Sequence, residues 1–343
     1  MKHFRVPGAA IAVVNDSTVE WTKGYGRLDV GRDSPVMPDS IFHACSMSKF
    51  VTAMAVLRLV HEGALALDED INRKLIGWRI PDNAFTREEP VTLRHLLSHQ
   101  AGIIDQENSF DVYHAEDPLP DLLDILQGKS PYNSKPVEIE YPPATRFTYS
   151  DAGYCVIEQL LTDVVGKPFG KLSRELIIDP LGMTNSCFQH AFEFDDTTHV
   201  AVGHDRHGSV VDGTRPTYPY PAAAGLWSTV TDLSLLVIEL QQSLQGTGKL
   251  GISPDLAQDM LTSQGCAAWA GLGVFLRGEG TQTRMSSLGW GVGFQCMLAS
   301  YPYVGGGAVV MTNSDPGYPQ EKALTGELIS SVEREYALPG IRH

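Results

Sequence analysis

The chain is poor in cysteine, with five in 343 residues, at positions 45, 155, 187, 266 and 296. An odd, scattered set offers neither a disulfide framework nor the paired spacing of a zinc site. Long apolar runs are missing as well, and none approaches the roughly 18 residues that span a bilayer. Positive charge is scarce: 26 Lys and Arg stand against 41 Asp and Glu, for a net charge of −15. Such a surface repels phosphate backbones and anionic headgroups, so nucleic acid and anionic membrane are poor partners. The sequence has no Gly-x-Ser-x-Gly elbow, phosphate loop or dinucleotide fingerprint. HLLSH at 95–99 sets two histidines four apart but lacks the acid of a zinc helix. Neither metal nor cofactor is therefore expected. The opening MKHFRVPG runs straight into a strand-like segment, without a secretory apolar region and cleavage site. The expectation is a cytoplasmic protein, or one exported with a presequence outside this sequence.

What remains is an ordinary globular composition, 43% apolar and 20% charged, in a chain long enough for one large domain or two interlocked ones. Residues 6–14 are small and β-branched and end at the turn signal Asn15-Asp16. With the alternating residues 19–25 they predict a hairpin. At Ser46 the period changes: Phe50, Met54 and Leu57 recur at helical spacing, and Gly63 suits a C-cap. Residues from about 90 to 265 read as short helices and long loops, with a clear helix at 231–244. Three strands, 271–276, 291–298 and 305–312, and a helix at 321–336 close the chain. Strands at both ends with helices between them predict an α+β fold. One sheet is assembled from the two termini, with a mainly helical region inserted.

Three segments can carry chemistry. Ser46-Met47-Ser48-Lys49 stands at the start of the first helix, with Ser46 and Lys49 on one face. A lysine so placed can be, or can tune, the base that activates the serine. Amides and the positive dipole end at a helix start can make the Ser46 N–H one arm of an oxyanion hole. The same residues also read as a capping serine and a solvated lysine. Cys45 is a neighbouring candidate nucleophile, read here as a small buried residue. Tyr149-Ser150-Asp151 follows a Pro-Pro loop and precedes an apolar helix at 154–165. Tyr and Lys both titrate near 10, so either must fall by about 3 units to act as a base at neutral pH. Ser287-Leu288-Gly289-Trp290 lies among strand glycines that admit close approach of a ligand, and the Trp290 amide is a candidate second oxyanion donor. His204-Asp205-Arg206-His207 reads as a polar loop.

Taken in order, these motifs resemble the serine β-lactamase-like superfamily: class C β-lactamases, DD-peptidases, D-aminopeptidases and family VIII carboxylesterases. VPGAAIAVV and GYG resemble its opening strands, Ser46-x-x-Lys49 its nucleophile motif, and PATRFTYSDAGY its tyrosine motif. TLRHLLSHQAGI, DPLGMTNS, AAAGLWSTVTDL and VVMTNSD are similar to further family signatures. The resemblance implies a β-lactamase/transpeptidase-like α/β sandwich, with an antiparallel sheet flanked by helices. Residues 1–75 and 222–343 would form the sheet domain, residues 76–221 the inserted helical domain, and the active site would lie at their interface. It implies Ser46 as nucleophile, Lys49 and Tyr149 as base, and the amides of Ser46 and Trp290 as oxyanion donors. Asp151, Ser287 and Gly289 would face the substrate. Two positions depart from the family. Asp151 replaces its usual Asn, and a carboxylate there is expected to hold Lys49 charged and favour a tyrosinate base. Ser287 replaces its Lys or His, which removes the cation that greets a β-lactam carboxylate. The expected activity is hydrolysis of small or medium esters through an acyl-enzyme. The alternatives are an amide or D-amino-acid peptide hydrolase, an acyltransferase, a β-lactamase, and a non-catalytic binding homologue. The expected partner is the small-molecule ester or amide substrate.

Overall fold

The N-terminal apolar run forms β1 (Gly8–Asn15), which turns back into β2 (Thr18–Asp29) and continues into the short β3 (Ser34–Pro35). The protein is described by a computed structural model covering residues 1–113, 117–188 and 199–339. β1 does not stop at its hairpin partner. Its other edge pairs antiparallel with β9 (Gly306–Thr312), Ile11 opposite Val310. β8 (Phe294–Tyr301), β7 (Arg284–Gly291) and β6 (Phe275–Arg277) extend the sheet. The order is β3-β2-β1-β9-β8-β7-β6, and every neighbouring pair is antiparallel. A second ribbon pairs β4 (Phe42–Cys45) with β5 (Leu226–Ser228). The fold class expected from sequence is therefore present, with strands drawn from both ends of the chain.

Helices cover both faces. They are α1 (Ser48–His61), α2 (Ala84–Glu88), α3 (Leu93–Leu97), α4 (Leu122–Leu126), α5 (Asp151–Val165) and α6 (Phe169–Ser173). Then follow α7 (Asp179–Leu181), α8 (Pro221–Ala224), α9 (Val230–Leu244), α10 (Pro254–Met260) and α11 (Leu324–Glu335). The continuous apolar pattern of β1 follows from this double covering. Ile11 and Val13 pack with Ile329 and Val332 of α11, while Ala10 and Ala12 join the main core with Leu233 and Leu236 of α9. Small residues on the second side let α9 lie close to the strand. Asn313 buckles the sheet's centre: its Oδ1 accepts the Gly8 N–H at 2.8 Å and its Nδ2 donates to Leu28 O at 2.9 Å.

Four strands, β3, β4, β5 and β7, have no counterpart among those expected from sequence. β4 and β5 are four and three residues long, too short for a period to show. The strand expected at 291–298 is β8, shifted by three residues, and β7 precedes it as a further strand, joined to it by a tight turn at Val292-Gly293. Gly293, at φ 76, adopts a backbone that side-chain-bearing residues rarely hold, and a Cβ there would meet Gly203 at 2.6 Å. Among the described residues no helix is long and apolar enough to cross a membrane.

Candidate active site

β4 delivers the chain to Ser46 through a constrained step. Cys45 sits at φ 50, in the left-handed region, so the chain bends sharply before α1 begins at Ser48. Ser46 therefore stands at the helix's N-terminal, electropositive end. Lys49 Nζ lies 3.2 Å from Ser46 Oγ. The neighbouring Ser48 is engaged otherwise: its hydroxyl donates to Cys45 O at 2.6 Å and accepts the Leu226 N–H at 2.9 Å. Cys45 is buried, and burial, with Cys296 next, pushes its thiol well above the usual range. A buried thiol of that kind is packing, not a nucleophile.

Lys49 is buried, and three acceptors hold its ammonium. Besides Ser46 these are Asp151 Oδ1 at 2.5 Å and the carbonyl of Ala223 at 2.8 Å. Its Nζ also sits 4.9 Å from the ring centre of Tyr149 and 5.4 Å from that of Tyr154. Burial opposes the charge on Lys49. The carboxylate of Asp151, together with Tyr149, outweighs burial, so the net shift is upward. The expectation of a charged lysine agrees with this direction.

Tyr149 lies across the lysine. It is 39% exposed, with Ser46 and Lys49 beside it in the cleft lining. The tyrosinate expected from sequence is not the resting form. Burial and the Asp151 charge raise the phenol above its ordinary value, against the opposing pull of Lys49. The departure at 151 thus acts on both groups: it charges the lysine and keeps the tyrosine neutral.

Two groups missed as site residues fix this loop. His99, at φ 58, stacks on Tyr149 with ring centroids 4.3 Å apart, and its Nδ1 accepts the Ser150 N–H at 3.1 Å. Burial pushes its pKa down to about 3, so it is a neutral wall of the site. Asp105 accepts from Ser150 Oγ at 2.7 Å and from the Asp151 amide at 2.5 Å, so it caps α5 from outside. Burial and the nearby Asp151 raise it to about 6.

On the opposite side β7 closes the site. Ser287 and Leu288 line the cleft beside Ser46, as do Phe147, Val274 and Phe275. Gly289 stands against the chain entering Ser46, since a Cβ there would lie 2.3 Å from Ala44 O. Trp290 follows at the rim, its side chain turned to Asp315, to which Nε1 donates at 2.8 Å. The structure thus brings Ser46, Lys49, Tyr149, Asp151, Ser287 and Gly289 together. It leaves His204 apart, buried with Nδ1 on Asn313 O at 2.9 Å. A larger cavity of about 920 Å³ lies between β6–β8 and α11, around the Arg284–Glu333 ion pair, and holds no such unit. Among the described residues no group of three or more His, Cys, Asp and Glu side chains is placed to hold a metal.

The carbonyl that Lys49 uses belongs to α8, a four-residue strap between α1 and α5. Thr52 Oγ1 donates to Ala222 O at 2.8 Å, and the Ala222 N–H donates to Glu158 Oε2 at 3.1 Å. Glu158 is buried, and burial pushes its pKa up to about 8, opposed by that N–H. Between about pH 5 and 8 the unfolded chain therefore loses a proton that the native state keeps, so stability from this group falls as pH rises. Glu158→Gln retains an acceptor for Ala222 and carries no charge. It is expected to gain on the parent as pH climbs, by up to about 1.4 kcal/mol per unit. Urea midpoints of both proteins at pH 5.5 and 8 measure this, and a difference independent of pH would contradict it.

The Ser-x-x-Lys and Tyr-Ser-Asp geometry is matched by what the chain as a whole resembles. The family model described as Beta-lactamase matches residues 1–330. The chain belongs to the Beta-lactamase family. Members of this family are serine hydrolases. Protein flp from Staphylococcus aureus (strain N315) is 26% identical over 225 residues, 65% of this chain and 42% of flp. The chain thus spans less than half the length of that curated relative. The octameric penicillin-binding protein homologue from Pyrococcus abyssi superposes with a TM-score of 0.79 at 24% identity, covering 99% of this chain and 75% of that one. EstCE1, a hydrolase with promiscuous acyltransferase activity, superposes with a TM-score of 0.73 at 20% identity, covering 98% and 95%. At these identities the two structures establish that the Beta-lactamase-family chain shares their fold.

Proposed function

We propose that the protein is a carboxylesterase that works through an acyl-Ser46 intermediate on small or medium uncharged esters. The observation that carries this reading is the Lys49 ammonium, bound at once to Ser46, Asp151 and Ala223 O. Ser46 and Lys49 belong to the terminal sheet part (1–75 and 222–343) and Tyr149 to the inserted part (76–221), so the chemistry sits where the two meet. Ser46 Oγ attacks the ester carbonyl, and its proton passes to the Lys49–Tyr149 pair. The amides of Ser46 and Trp290 take the charge on the carbonyl oxygen, each contributing about 2.7–4 kcal/mol. The bond to the leaving oxygen then breaks, and the pair returns the proton to it. Water repeats the sequence on the acyl-enzyme. At rest the pair holds one proton too many to act as a base, so activity rises with pH as that proton is lost.

Ser287 supports an uncharged substrate. It stands where relatives offer a cation, and the cleft's own ammonium, Lys49, is already engaged by Asp151. A buried ion pair lost in this way costs several kcal/mol. p-Nitrophenyl butyrate is therefore expected to exceed nitrocefin in kcat/KM by at least about tenfold, or about 1.4 kcal/mol of barrier. Equal or faster nitrocefin turnover on the same preparation would reverse the substrate assignment.

A further inference from the structure

We propose that the cavity between β6–β8 and α11 is a second ligand site, for an organic anion: a carboxylate or phosphate carried on an apolar body. The site goes beyond ester hydrolysis and does not depend on Ser46 being the nucleophile. β7 forms a wall of both spaces, with Ser287 lining the cleft and Ser286 the cavity, and Phe275 borders both.

The space exists because α11 covers only part of the sheet. Ile329 and Val332 seat the helix on Ile11 and Val13 of β1 and Val310 of β9. β6 and β7 form the far end of the sheet, beyond that apolar contact, and the gap beside them measures about 920 Å³. Ligand pockets commonly enclose about 300–1,000 Å³ and combine apolar walls with a few placed polar groups. Phe275, Leu276 and Met297 supply apolar wall here, and Arg277, Arg284 and Arg334 supply charge.

The placement of the arginines decides the ligand's chemistry. Arg277 of β6 stands directly opposite Arg284 of β7 in the antiparallel register. Like charges paired in this way cost stability. Glu333 relieves one of them: its Oε1 accepts from Arg284 Nε at 2.6 Å and from the Tyr301 hydroxyl at 3.0 Å. Glu333 and Tyr301 are buried, so they fix the Arg284 fork from one side. Its terminal N–H groups have no partner among the described residues. Arg277 has no ion-pair partner among the described residues either, and Arg334 donates one N–H to Ser331 Oγ at 3.2 Å. Three guanidiniums thus border one cavity. Of the two acids in its lining, Glu333 is tied to Arg284, and Glu321 is exposed. A guanidinium presents a planar fork that matches carboxylate and phosphate oxygens. The net charge of −15 does not overrule this local arrangement, because at about 0.1 M salt exposed charges more than about 10 Å away are largely screened.

The test titrates the whole chain calorimetrically with 2-naphthoate, 2-naphthyl phosphate and the neutral 2-naphthamide, which share one apolar body. At least one anion is expected to bind tenfold or more tightly than the amide, and the tighter anion identifies the head group. Arg277→Ala and Arg334→Ala are each expected to weaken that anion about tenfold and to leave the amide unchanged. Both side chains are exposed, so either variant keeps the Arg284–Glu333 pair and the fold. The photoreactive carboxylate 4-benzoylbenzoate is expected to attach to β6, β7 or α11. Four results would each overturn the site: no binding of either anion at millimolar concentration, an amide that binds as tightly as both, an affinity unchanged in both variants, or photolabel confined to residues 46–49 and 147–149. None of them bears on the role of Ser46.

Discussion

Ser46→Ala is expected to reduce ester hydrolysis by roughly 10⁴-fold or more, the scale seen when a covalent nucleophile is removed. The surroundings offer no substitute. Ser48, two residues on, has its hydroxyl committed to Cys45 O and the Leu226 amide, 2.6 and 2.9 Å away. Cys45 is buried, with its thiol held protonated by burial. The Ser46 hydroxyl meets Lys49 at 3.2 Å and shares the cleft with Tyr149. A phosphonate should add once and map to Ser46 by mass spectrometry. Label on Cys45 or Ser48, or activity surviving in the alanine variant, would refute the assignment.

Lys49→Ala and Tyr149→Phe are each expected to lower kcat by about 10²-fold or more, and the double variant to lose little beyond either one. In the proposed mechanism the two groups handle one proton between them, so removing either would disable the pair. Fully multiplicative losses would show independent action. The pH profile supplies a separate check. Asp151 raises both Lys49 and Tyr149, so its charge delays the deprotonation that makes the pair a base. The parent's kcat/KM should accordingly climb with pH above neutrality. Asp151→Asn should move that climb to lower pH by about one unit or more, the usual reach of a charge within a few ångströms. A rise that stays in place would mean that Asp151 does not govern the pair.

Long apolar segments were legible from sequence because their burial is continuous. The β1–β2 hairpin, α1 and α9 lie within a few residues of where periodicity set them. α9 starts at Val230, one residue before the expected 231, and its cap is Thr229, whose Oγ1 accepts the Asp232 N–H at 3.1 Å. Chain ends that must meet, such as β1 and β9, carry no local signal for each other, and the expectation of one sheet from both termini came from strands at the two ends of the chain with helices between them. The site divided in the same way. The positions of Ser46, Lys49, Tyr149, Asp151 and Ser287 came from motifs. The protonation of Tyr149 did not, since it depends on how far burial and Asp151 offset the lysine. The Ala223 carbonyl was beyond reach for another reason: a backbone acceptor has no residue type to read. Glu158 and Asp105 look like ordinary surface acids in the sequence, and only tertiary burial makes them otherwise.

The pairing of β1 with β9 sets the timetable of synthesis. β1 leaves the ribosome about 300 residues before its inner partner exists, and Gly8 waits for Asn313, 305 positions later. At typical elongation rates of about 5–20 residues per second, that interval is on the order of 15–60 s. Throughout it Ile11 and Val13 sit on an unpaired apolar edge, the kind of strand that recruits other chains. Ser46, Lys49 and Tyr149 are all translated early, yet the wall bearing Ser287 arrives with β7, near the end. A nascent chain therefore carries Ser46 long before the cleft around it closes. Yield on refolding should fall as protein concentration rises, since closing so distant a pair competes with edge-to-edge association.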